Sequence, residues 1–114
     1  MRIIVCGGRD FKDYEFLWTV LDDIHKTTPI TELIHGAAKG ADAFAHIWAV
    51  RRSVPVTPVP ADWKRHGSKA GPLRNLQMLD MQVSCVVAFP GGRGTAHMVQ
   101  SALKRGVEVK SFQK

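Results

Sequence analysis

Cys85-Val86-Val87-Ala88-Phe89-Pro90-Gly91-Gly92-Arg93-Gly94-Thr95 runs from five apolar residues into a proline-led glycine turn. It reads as a buried strand, a tight turn and the start of a helix, the joint from which parallel α/β sheets are built. The glycines permit positive φ and keep side chains out of the way. Consecutive backbone N–H groups can then converge on an anion that the N-terminus of the following helix also favours. Arg93 adds a fixed positive charge. The spacing is not G-x-G-x-x-G and no Gly-Lys-Ser/Thr occurs in the chain, which argues against a conventional dinucleotide or nucleoside-triphosphate loop. A glycine turn after a strand is otherwise only a tight connection, so its meaning depends on its neighbours.

Outward from this joint, short apolar runs alternate with amphipathic stretches along all 114 residues, the pattern of parallel strands linked by crossover helices. Strands are predicted at 2–6, 31–34, 54–59, 84–89 and 107–112, and helices over 13–26, 40–52, 72–82 and 95–105. In the first helix Tyr14, Leu17, Trp18, Leu21 and Ile24 share a face. In the second, Ala41, Phe44, Ala45, Trp48 and Ala49 do so, which places Trp18 and Trp48 in the core. Pro72 opens the third helix, Thr95 is the candidate cap of the fourth and Gly106 ends it. Pro55, Pro58 and Pro60 remove N–H donors around the third strand, which is tolerable only at a sheet edge. Right-handed crossovers then give the spatial order 3-2-1-4-5 in a doubly wound α/β domain spanning 1–114.

In that order the first and fourth strands are central and their helices leave on opposite faces, opening a crevice at the strands' carboxyl ends where such sheets bind ligands. The flanking loops are Gly7-Gly8-Arg9-Asp10 and Pro90 to Thr95, and both contain Gly-Gly-Arg. The adjacent loop, His35-Gly36-Ala37-Ala38-Lys39-Gly40-Ala41-Asp42, again pairs glycines with a base and ends at a carboxylate. Three such loops at one edge point to a phosphate-bearing ligand. The long connection Pro60 to Gly71 carries Asp62, Trp63, Lys64, Arg65, His66 and Lys69, and structureless segments of this length tend to be functional.

Composition narrows the class. With 45% hydrophobic and 23% charged residues the chain is no disordered polymer, and its length supports one core. No apolar stretch approaches the roughly 18 residues of a membrane span. The N-terminal run Arg2 to Cys6 lacks a signal peptide's long apolar region and cleavage site, so a cytoplasmic location without membrane contact is expected. Cys6 and Cys85 lie in apolar strands and are expected as buried thiols. The net charge of +6 suggests anionic partners. Half of the sixteen bases, Arg9, Lys12, Lys39, Lys64, Arg65, Lys69, Arg74 and Arg93, lie in or beside segments that follow strands. Arg51-Arg52 and Lys104-Arg105 sit at helix C-termini, where they complement the dipole and need no ligand.

Together these segments resemble the SLOG superfamily, the Rossmann-like group that includes the Lonely Guy phosphoribohydrolases and DNA processing protein A, and within it the YspA and YpsA-related branch. The matching residues are Gly7-Gly8-Arg9-Asp10-Phe11, His35-Gly36 with Gly40-Ala41-Asp42, Asp62-Trp63, Ala70-Gly71-Pro72 with Arg74-Asn75 and Met78, and Pro90-Gly91-Gly92 with Gly94-Thr95. The resemblance implies a Rossmann-like three-layer fold, a nucleotide or nucleotide-derived ligand, and homo-oligomers. Family enzymes that release a base from a ribose monophosphate carry a glutamate three residues beyond the threonine, where this chain has Met98. Cleavage of an N-glycosidic bond builds positive charge on the sugar and needs a carboxylate nearby, which a thioether cannot replace. Arg74 matches the arginine placed near the reaction centre, whereas the next position, often lysine, is Asn75. Asp10 and Asp42 are substitutes for the missing acid, although aspartates there more simply accept ribose hydroxyls or cap the next helix.

His35, His66 and His97 fall in ligand-side segments and can titrate near neutrality. No pair has metal-ligand spacing, so neither metal nor cofactor is expected. Trp63 either caps the core edge or stacks on a base. The expected protein is a binder of a nucleotide-derived small molecule, of ADP-ribose or cyclic-nucleotide type, acting as a sensor or a sequestering protein. Gly91 to Thr95 would hold phosphate, Arg74 and Arg9 would add charge, Asp10 or Asp42 would take the ribose and Trp63 the base. The alternatives are a phosphoribohydrolase with a relocated carboxylate, using Arg74, Asp10 or Asp42, and a single-strand nucleic-acid binder, the least favoured.

Overall fold

The computed structural model describes residues 1–113. Strands β1 (Arg2–Cys6), β2 (Glu32–His35), β3 (Val56–Pro58), β4 (Cys85–Ala88) and β5 (Glu108–Ser111) form one parallel sheet in the order β3-β2-β1-β4-β5. Helices α1 (Tyr14–Thr27), α2 (Ala41–Arg51), α3 (Trp63–His66), α4 (Ala70–Leu79) and α5 (Arg93–Lys104) connect them. The order is the one expected, and the fold is a Rossmann-like α/β sheet with flanking helices.

The two-residue period of a strand divides the core between the faces. Ile3, Val5, Leu33, Cys85 and Val87 pack with Leu17 and Leu21 of α1 and with Ala45 and Trp48 of α2. Ile4, Cys6, Ile34, Val86 and Ala88 pack with Met78 and Leu79 of α4 and with Met98 and Ala102 of α5. Both faces of β1 and β4 are therefore covered, which explains why those strands read as continuous apolar runs. Each fully buried aliphatic side chain contributes about 1.5–3 kcal/mol. Among the described residues no helix is long and apolar enough to cross a membrane.

β3 is the edge its prolines require. It is joined to β2 through the Pro55 carbonyl, which accepts from Leu33 N–H at 2.8 Å, and through Val59 N–H, which donates to His35 O at 2.8 Å. Those contacts use alternate residues, so the donor missing at Pro58 falls on the open side. Arg52 pairs with Asp22 and Arg105 with Asp80, consistent with bases that need no ligand. Both thiols are free and buried, and burial with the nearby Asp42 charge pushes Cys6 up to about 12.

Several local expectations are corrected. The connection 60–71 is not structureless, because the Asp62 side chain accepts from Arg65 N–H at 3.1 Å and starts α3, and a 3-10 turn (Gly67–Lys69) leads into α4. α4 begins at Ala70, two residues before Pro72, since N–H groups of a first helical turn have no intrahelical acceptor and a proline there removes nothing. α5 begins at Arg93 with Gly92 as its cap, so Thr95 is inside the first turn. α1 is capped by Asp13, which accepts from Phe16 N–H at 3.1 Å. Tyr14 is exposed at the end of its stripe, resting against Trp18 and Phe44.

Candidate ligand cleft

A cleft of about 800 Å³ opens at the carboxyl ends of β1, β2 and β4. Its three glycine loops are tied together through their backbones. Gly8 N–H donates to Pro90 O at 2.8 Å, and Gly8 O accepts from Ala41 N–H at 3.2 Å. Such contact requires missing side chains. A Cβ on Gly91 would lie 2.2 Å from Thr95 Oγ1 and 2.7 Å from Gly8 N, and one on Gly40, where φ is +73°, would lie 2.2 Å from Gly8 O. Glycine in these loops thus sets how closely the strand ends approach.

Asp42 lies in the first turn of α2 but folds back, accepting on Oδ2 from Gly36 N–H at 3.0 Å and Ala38 N–H at 3.2 Å. It is only 6% exposed. Burial pushes its carboxyl up to about 6, against the opposing influence of these N–H donors and of Arg74 and Arg9. A carboxyl that titrates this close to neutrality, beside arginines, can accept from hydroxyls or hold a proton, and it lines the cleft with Arg9, Asp10 and Arg74.

α4 ties the loops to α5. The Arg74 guanidinium donates through Nη1 to Gly36 O and through Nε to Asn75 Oδ1 at 3.1 Å. An added Cβ at Gly36 would collide with that guanidinium, so Gly36 makes room for it. Asn75, buried, donates through Nδ2 to Gly94 O at 3.2 Å and makes a 3.1 Å contact with His97 Nδ1. Arg74 is therefore in part a clamp on the wall of the cleft.

All of the expected binding positions line the cleft except His35, Gly40 and Pro90. Gly40 and Pro90 act behind it, through the backbone contacts given above. His35 is engaged elsewhere: its Nδ1 accepts from Ala37 N–H at 2.9 Å, and its Nε2 lies 2.9 Å from His46 Nδ1. Burial, His46 and Arg74 push it down to about 4, so it remains neutral and supports the loop. His66 lies in α3 and does not line the cleft, whereas His97 does. Trp63 is 50% exposed with its ring beside Gly71, and it lines the cleft rather than capping the core. Met98 is fully buried among the side chains between α5 and the sheet.

The cleft also contains Cys6, Phe11, Ser68, Met78 and His97, none of which the sequence reading placed among the binding residues. Cys6 and Met78 are indistinguishable from core by hydropathy. His97 is legible in the sequence as a titratable histidine in a ligand-side segment, but not as a binding residue. Among the described residues no group of three or more His, Cys, Asp or Glu is arranged to hold a metal ion.

The solved structure of DNA processing protein A from Streptococcus pneumoniae superposes with a TM-score of 0.79 at 16% identity, covering 99% of this chain but only half of that one. That likeness is one of fold. The Gene 61 protein of Mycobacterium phage D29 is 39% identical over 97% of this chain and 95% of its own length. The family described as "YAcAr: YspA, cpYpsA-related SLOG family" matches residues 1–66, which include the first two glycine loops and Trp63. On the strength of that match and of a relative so similar end to end, the chain belongs to the YspA, cpYpsA-related SLOG family.

Proposed function

We propose that the cleft binds a nucleotide-derived small molecule, of ADP-ribose or cyclic-nucleotide type, as a sensor or a sequestering protein. The observation that carries this reading is the convergence of three glycine loops, the N-terminus of α5, Arg9, Arg93 and the buried Asp42 on one cavity of about 800 Å³. Phosphate takes the first-turn N–H groups of α5 and Arg93, where a helix N-terminus and a guanidinium both favour an anion. Asp42 or Asp10 accepts ribose hydroxyls, and the exposed ring of Trp63 offers a surface for the base.

Binding is favoured over base release because Met98 lies in the core, at the position where related phosphoribohydrolases have their glutamate. The acids lining the cleft are Asp10 and Asp42, and Asp42 is engaged by two backbone donors. A second reading, single-strand nucleic-acid binding, draws on the net charge of +6 and on the fold shared with a DNA-processing protein. A cleft of about 800 Å³ with interlocked loops along one wall suits a small ligand better than an open strand.

Native mass spectrometry of the protein purified without added ligand should find a retained nucleotide and give its mass and stoichiometry, including any homo-oligomer. By calorimetry Arg93→Ala should weaken binding of ADP-ribose or AMP at least tenfold, the loss of one charge-assisted bond, without lowering stability. Arg74→Ala should do the same and also loosen the loop at Gly36. Tight oligonucleotide binding with a steep salt slope, in a protein that ignores both small probes, would sink the proposal. Release of base from AMP or NAD, abolished by Asp42→Asn, would replace it with the hydrolase reading.

A further inference from the structure

The chain of hydrogen bonds from Arg74 to His97 has one chemically consistent direction. Arg74 Nε can only donate, so the Asn75 atom 3.1 Å away must be the carbonyl oxygen. The other end of that amide is then the NH₂ group, whose two hydrogens go to Gly94 O at 3.2 Å and to His97 Nδ1 at 3.1 Å. A flipped amide would set donor against donor at Arg74 and acceptor against acceptor at Gly94, so the orientation follows from chemistry and not from how the atoms were assigned. Three of the four hydrogen-bonding capacities of this buried amide are used, including both of its donors.

His97 Nδ1 must therefore be the unprotonated acceptor, and the ring proton is on Nε2. No partner among the described residues meets Nε2. It is not an enclosed orphan, because no buried side-chain nitrogen lacks a partner there. His97 stands one turn into α5 and lines the cleft beside Gly94 and Thr95.

We infer that Asn75 locks His97 as the Nε2–H tautomer, and that His97 presents this N–H to the cleft as a donor to a phosphate oxygen of the ligand. This rests on the nucleotide-binding reading but adds a residue with a defined proton to it. Asn75 is then a positioning residue whose effect on the ligand passes through His97. The arrangement also accounts for an asparagine after Arg74: its amide supplies the acceptor for the arginine and the donor for the histidine, where a lysine could only donate.

The free protein tests the first half. In long-range ¹H–¹⁵N correlation spectra, with His97 assigned by the signals lost in His97→Gln, His97 should have the Nε2–H pattern. Asn75→Asp, whose carboxylate can only accept, should convert it to Nδ1–H. A wild-type ring in the Nδ1–H form overturns the inference whether or not any ligand binds, as does an Asn75→Asp variant with an unchanged pattern. Titration with ADP-ribose and with AMP tests the second half. The Nε2–H signal should shift on saturation, His97→Ala should weaken binding about tenfold, and His97→Gln, which keeps an N–H near the same place, should recover most of it. A wild type that binds a probe with the His97 signal unmoved and His97→Ala equal in affinity sinks this inference alone. A wild type that binds neither probe removes the ligand half together with the reading it rests on.

Discussion

The two sides of the cleft are built by opposite means. On one side the loops after β1, β2 and β4 interlock: Gly8 bonds to Pro90 and Ala41, Asp42 gathers Gly36 and Ala38, and Arg74 clamps Gly36. On the other, 62–69 is exposed throughout. Its hydrogen bonds among the described residues are local, from Arg65 and His66 N–H to Asp62, from Gly67 N–H to Trp63 O, and from Ala70 N–H at the start of α4 to Gly67 O. It carries Trp63, Lys64, Arg65 and Lys69. One wall is cross-linked through its backbone, and the other is held by few bonds beyond its own, so in the proposed binding the first is preformed and the second can adjust at little cost in lost contacts.

Glycine substitutions break this comparison most directly. Gly91→Ala puts a Cβ within 2.2 Å of Thr95 Oγ1 and 2.7 Å of a backbone nitrogen, and urea denaturation should find it destabilised by about 3 kcal/mol or more. Gly67→Ala adds a Cβ that meets nothing within 4 Å, but at φ +56° and ψ −132° the backbone lies in a region that favours glycine, so the loss should be about 1–3 kcal/mol and come from backbone strain alone. Equal losses would show that the two walls are equally rigid.

The rigid wall also contains two titrations of opposite sign. Asp42 is raised from 3.8 to about 6, so its contribution to stability is full below 3.8 and is lost as pH rises through about 6. His35 is lowered from 6.5 to about 4, so its contribution is full above 6.5 and is lost as pH falls through about 4. Across pH 4–7 the two offset each other. Asp42→Asn removes the first, so its stability relative to wild type should rise by about 2–3 kcal/mol from pH 4 to pH 7. His35→Gln should drift by a similar amount in the opposite direction. Parallel stability curves for wild type and both variants would mean that these groups titrate normally.

Smaller effects separate the ligand from the fold. Gly92→Ala adds a Cβ in open space, so it should lose no more than about 1 kcal/mol, the disadvantage of alanine at the α5 cap, while affinity for a phosphate seated on α5 falls. Retained affinity would move the phosphate elsewhere. Trp63→Ala should change stability by less than about 1 kcal/mol, since the ring is half exposed. It should weaken binding of AMP more than binding of ribose 5-phosphate, which has no base to stack. Equal losses for both would take Trp63 out of base recognition.

The order of the sheet was legible because each constraint was local: prolines around β3, continuous apolar runs at β1 and β4, and glycines after them. The missed boundaries, at α3, at Ala70 and at Arg93, are places where a side-chain cap or an adjoining turn outweighed the apparent breaker. His35 was misplaced for a different reason. Its neighbours in sequence lie at the ligand end of β2, but its ring is held behind the loop by His46 and Ala37, eleven and two residues away.

The sequence alone determined the alternation of strands and helices, the edge, the glycine corners and the absence of a glutamate at Met98, since each depends on residue type and spacing along the chain. Only the tertiary structure decided which of those residues share a cavity, that Arg74 is a clamp, that His35 is support, and which nitrogen of His97 holds its proton. Those depend on hydrogen-bond partners far apart in sequence, such as Arg74 with Gly36 and Asn75 with His97, whose direction no local pattern encodes.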